Sequence, residues 1–90
     1  MNADRMLDDA IDFAAEAWPS FDATLPPNIQ LRDKLTFFAQ RILPTLKARF
    51  PDMAAATDQV MLLVLARGIE QSGRVPRHRI ERDLGILLPP

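Results

Sequence analysis

Seven consecutive apolar residues, Val60-Met61-Leu62-Leu63-Val64-Leu65-Ala66, constrain this chain more than any other stretch. A helix built from them is apolar on every side, so it must be surrounded by other helices or buried in an oligomer. A strand is the competing reading of so short a run. The flanks, DMAAATDQ before it and RGIEQSG after it, favour a helix by length and composition. The run is also far shorter than the roughly 20 residues that a membrane-spanning helix needs. The covering layer has to come from the rest of a 90-residue chain, enough for one domain, residues 1–90, with a single core.

The other segments carry helical patterns of their own. Leu7, Ile11, Ala14 and Trp18 form a stripe of helical period, with Met6, Ala10, Phe13 and Ala17 beside it. The spacing predicts a helix over residues 3–18, capped by Asn2 and ended by Pro19, which disfavours helical geometry at Trp18. The stretch PSFDATLPPN reads as a loop anchored by Phe21 and Leu25. A second helix follows over residues 28–50, with Leu31, Leu35, Phe38 and Ile42 inward and Phe37, Leu43 and Leu46 widening the stripe. Pro44 sits inside that pattern, where it removes a hydrogen bond and either kinks the helix or breaks it. The third helix, residues 53–72, takes Asp52 or Thr57 as its N-cap and Gly73 as a left-handed stop. Pro76 opens a fourth, residues 76–84, that ends at Gly85. The expected fold is therefore all-α: a compact bundle or orthogonal array of about four helices.

Charge divides along the chain. Residues 1–33 hold seven acids (Asp4, Asp8, Asp9, Asp12, Glu16, Asp22, Asp33) and two bases, whereas residues 34–90 hold nine bases and five acids. On the first helix Asp4, Asp8, Asp12 and Glu16 fall four apart in one row. Like-charge pairs at that spacing cost about 0.2–0.5 kcal/mol each, and only the first of them recovers it from the helix dipole. This face looks for positive charge from elsewhere. The segment GRVPRHRIERDLG supplies a surplus of it in Arg74, Arg77, Arg79 and Arg82, with the chain's one histidine, His78, among them.

Three readings of that cluster compete. It can pair locally, Arg77 with Glu81 and Arg79 with Asp83 at i, i+4. It can pack beside the acidic row of the first helix, in the same chain or across subunits. Or Arg74, Arg77, His78, Arg79 and Arg82 can face a phosphate backbone, as a short helix after a tight turn does in helix-turn-helix proteins. A net charge of only −1 speaks against a chain devoted to coating nucleic acid.

Catalysis finds little support. There is no cysteine, so disulfides, thiolate chemistry and the usual zinc frameworks are excluded, which fits a cytoplasmic protein. His78 stands among arginines, which disfavour its imidazolium, and no carboxylate is placed to orient it. Gly68, Gly73 and Gly85 stand apart and form no phosphate loop. A straight acidic helix supplies one side of a cation cage, where hard cations need six or more oxygens. The N-terminus, MNADRMLDDA, is acidic where a secretory signal is basic and then apolar. The reading is a non-enzymatic helical protein without cofactor or metal, outside the membrane, that binds other protein and associates with itself. Asp4, Asp8, Asp12, Glu16, Arg74, Arg77, Arg79 and Arg82 are the expected contacts, and DNA binding by the basic last helix is the alternative. Apolar excess argues the same way: wide stripes, the third helix and the ILLPP tail leave a patch for a partner unless the tail folds back.

Overall fold

A computed structural model describes residues 3–88. The chain is all-α: helices α1 (Ala3–Asp22), α2 (Leu31–Arg49), α3 (Asp58–Gln71) and α4 (Arg77–Leu84), with a 3-10 turn (Pro51–Ala55) before α3 and no strand among the described residues. Asn2, the expected cap of α1, and the closing Pro89-Pro90 lie outside them. No described helix is long and apolar enough to cross a membrane.

Helix α1 does not end at Trp18. It runs through Pro19 to Asp22, and the N–H of Ala23 closes it on the Pro19 carbonyl at 3.1 Å. An interior proline costs about 3 kcal/mol, and the packing on either side of it exceeds that. Trp18 is fully buried, and its ring meets Phe38 edge-on at 5.0 Å while Phe21 lies 5.2 Å from Phe38. Burying each large apolar side chain contributes about 1.5–3 kcal/mol, with about 0.5–1.5 more for each aromatic pair. Phe21 reaches this cluster only if the helix continues past the proline.

The other boundaries move for local reasons. Helix α2 begins at Leu31 rather than Asn28, because Gln30 is still extended, with φ −66° and ψ 151°. It then runs unbroken through Pro44, since Ile42 and Leu46 on both sides of the ring are buried. Residues 53–55, expected to begin the third helix, belong to the 3-10 turn that seats Met53 in the core. The α-helix starts after Thr57, whose side-chain oxygen accepts from the Val60 N–H at 3.2 Å. Gly73 takes φ +77° and Gly85 φ +66°, the left-handed stops their positions require. Pro76 is the extended residue before α4, not its first helical one.

Helices α1 and α2 are antiparallel, since Asp22 pairs with Lys34 at one end and Phe13 meets Phe50 at the other. Against α1 on another side lies α3, and the two backbones approach closely. A Cβ placed on Gly68 would sit 2.6 Å from Ala14 Cβ and 3.1 Å from Ala15 N. Met61, Val64, Leu65 and Ala66 of the apolar run are buried, with Val60, Leu62 and Leu63 partly covered.

The tail completes the cover. Leu88 is buried, and its N–H donates to Glu81 Oε2 at 2.8 Å. Among the described residues only Phe37, at 45%, and Leu87, at 84%, are large hydrophobics left exposed. The broad apolar patch expected from the sequence is thereby reduced to these two and a set of half-buried neighbours. Phe37 itself corrects the sequence reading, which placed it in the inward stripe of α2.

Candidate functional site

The arginine cluster is arranged by α4. Ile80 anchors the helix in the core, and Leu84 packs against the same cluster, which turns the opposite face to solvent. Arg77 reaches Glu70 of α3, Nε to Oε2 at 2.7 Å, and Glu70 also holds Arg67 at 3.0 Å. The expected partner of Arg77, Glu81, is drawn instead to the Leu88 N–H. Asp83 accepts from Arg82 at 3.1 Å and lies 3.5 Å from Arg79. The Arg82 hydrogen bond holds the Asp83 carboxyl below its ordinary value, with the charges of Arg82 and Arg79 acting in the same sense against a desolvation cost.

Both acids of α4 are thus engaged, and its exposed residues are His78, Arg79 and Arg82, with Arg74 in the turn before it. The side chains of Arg79 and Arg82 remain 51% and 71% exposed despite their pairs. Arg32, at the start of α2, adds to this face: its guanidinium donates to the Asp83 carbonyl at 3.5 Å. The sequence reading missed Arg32 because 51 residues separate the two.

The acidic row is equally exposed but elsewhere. Asp8, Asp12 and Glu16 face solvent, and Asp12 accepts from Gln71 Nε2 at 2.5 Å. Asp4 belongs to the first turn of α1, and its side chain lies outside the described ones. Among the described residues no cation forms an ion pair with Asp8, Asp12 or Glu16. Helix α4 packs on α2 and α3 and not on α1. Among the described residues no ion pair joins the two charged helices. Among the described residues no group of His, Asp and Glu is placed to hold a metal ion.

A second basic element emerges in α2. Five bases, Arg32, Lys34, Arg41, Lys47 and Arg49, lie on it against one acid, Asp33. The signal stood in the sequence but was divided between the charge counts of residues 1–33 and 34–90. Lys34 pairs with Asp22 at 2.7 Å, and Arg49 lies 5.2 Å above the Phe13 ring. Arg41 and Lys47 are exposed and form no ion pair among the described residues.

Two clefts follow the line between α1 and α2. One, of about 520 Å³, is floored by Ala17, Phe21, Phe38 and Ile42 and bordered by Ser20, Thr24, Arg41 and Thr45. The other, of about 500 Å³, lies between Arg5, Met6 and Asp9 on α1 and Arg49 to Asp52 beyond α2. Comparison with protein-family models, curated proteins and solved structures found no match.

Proposed function

We propose that the protein acts by binding protein, as a small regulator, adaptor or subunit without catalysis of its own, and that its first partner is a second copy of the chain. The carrying observation is the separation of charge. Among the described residues Asp8, Asp12 and Glu16 of α1 face outward without an ion pair, while bases of α2 and α4 face outward on other surfaces. Surfaces of both signs on one molecule attract another copy, and such charges set association rate and register more than affinity. A cytoplasmic setting belongs to the same proposal, in keeping with a chain without cysteine.

Light scattering after size exclusion, at high micromolar protein and over a salt series, tests it. Dimers or larger species at low salt should shift toward monomer as salt screens the faces. A monomer at every concentration and ionic strength would overturn the reading.

One observation favours a second reading, DNA binding. The outer face of α4 exposes Arg74, His78, Arg79 and Arg82, extended by Arg32; Glu81 is turned to the Leu88 N–H, which leaves Asp83, paired with Arg79 and Arg82, as the one acid of the helix among these bases. Binding to random duplex DNA should then fall steeply with salt, and substituting Arg74, Arg79 and Arg82 should flatten that slope. Absence of binding at low salt removes this alternative.

A further inference from the structure

The face formed by α1 and α2 carries charge and apolar surface in an order that a solvated surface does not need. Its floor is aromatic and aliphatic: Phe21, Phe38 and Ile42 in one cleft, Met6 and Phe50 in the other, with the Phe13 ring edge-on to Phe50. Phe37, 45% exposed, precedes Arg41 and Thr45 in the row of α2 that borders the larger cleft. The clefts follow one line along an antiparallel pair of helices, which suits an elongated occupant better than a compact ligand.

The borders select the occupant. Along α1, Asp9 borders the smaller cleft, and Glu16, exposed and seven residues further on, lies on the same side of the helix outside the cleft linings; along α2 the borders carry Arg41 and Arg49, eight apart. The far end reverses both signs together, Arg5 on α1 against Asp52 beyond α2. A partner of one charge would satisfy only half of this pattern. A second copy rotated by a two-fold axis along the clefts satisfies all of it. That rotation lays the α1 border of each copy on the α2 border of the other, so Asp9 and Glu16 approach the partner's Arg49 and Arg41. Arg5 meets the partner's Asp52. A two-fold axis across the clefts would instead lay acid on acid.

We infer that the α1–α2 face pairs with the same face of a second copy about this axis, closing two helical hairpins into a four-helix bundle with the clefts at its centre and Phe37 at its α2 border. Antiparallel helices with apolar inner faces and charged flanks are the usual material of such bundles. The inference rests on the self-association proposed above and names the surface that performs it.

Two reversed chains test it, Asp9→Arg/Glu16→Arg and Arg41→Glu/Arg49→Glu. The first has two basic borders and the second two acidic ones, so each should repel itself, with an association constant weaker by roughly tenfold or more. Mixed in equal amounts at low salt, they should form a heterodimer by light scattering and native mass spectrometry. Phe37→Asp, at an exposed position, should weaken self-association with the circular dichroism spectrum and urea midpoint unchanged. If the native chain associates but all three variants associate as it does, this surface is wrong and self-association through another stands. If the native chain is monomeric throughout, the functional reading falls, and this inference with it.

Discussion

The two sides of α1 are built to opposite rules. Toward α3 it presents small residues, and Ala14 and Ala15 meet Gly68 so closely that a single added methyl group would overlap them. Toward α2 it presents Phe13, Trp18 and Phe21, whose rings hold the two helices apart. Small residues let the backbones approach closely around Gly68, and the cleft left between α1 and α3, beside Leu7, Ile11, Val60 and Leu63, is the smaller one at about 360 Å³. Large rings bury more area but bridge gaps incompletely, and the clefts along α1 and α2 are what they leave open. Both sides hold the fold, and the α2 side also leaves its larger clefts available for contact.

That contrast can be broken by substitution. Trp18→Ala should have the largest effect, about 3–5 kcal/mol lost in urea unfolding, because the indole spans the gap to Phe38 and a cavity would replace it. A loss under about 1 kcal/mol would mean that the rings do not hold this side together. Gly68→Ala should come next. Overpacking costs about 1–3 kcal/mol, and the gain of about 1 kcal/mol in helix propensity offsets part of it. Ala14→Gly in the same chain should relieve the overlap, giving a double-mutant cycle with clear coupling. Additive effects would show that this contact does not set the approach of α1 and α3.

On the open side an increase in volume should be nearly free. Thr45→Leu, at the exposed border of the larger cleft, should change stability by no more than about 0.5 kcal/mol. A cost equal to that of Gly68→Ala would erase the distinction between the two sides. The smallest effect belongs to α4, which touches neither. Asp83 should titrate below its ordinary value of 3.8 in a carbon-detected NMR titration. Because its folded value is depressed, the stability it adds is present above the unfolded value and lost as pH falls through the folded one. Arg82→Ala should return the titration toward the ordinary value, and an unchanged midpoint would show that Arg82 is not the main cause.

Much of the architecture was readable from residue order. The stops at Gly73 and Gly85, the cap at Thr57 and the inward stripe of Leu31, Leu35, Phe38 and Ile42 follow from rules that act over one or two turns. Misread boundaries lie where distant packing outweighs a local preference, as at Pro19, where Phe38 retains Phe21 in a helix that the proline alone would end. The charged surfaces were found as lists and not as places. Arg77 and Glu81 are neighbours at i, i+4, yet Glu70 and the Leu88 N–H claim them, because a chain that turns back on itself offers partners that spacing cannot reveal.

By itself the sequence determined that this chain is helical, that its apolar run has to be covered, and that acids gather on the first helix while bases gather later. Periodicity and composition carry these facts, since they depend on neighbours within a few residues. Only the tertiary structure decided that the tail closes over the core and that α4 packs its backbone on α2 and α3. It alone decided that Gly68 is a contact point, and that the α1–α2 side stays open between an acidic and a basic border. Those outcomes depend on which surfaces lie within a few ångströms in space, and shape and steric fit between distant segments settle them.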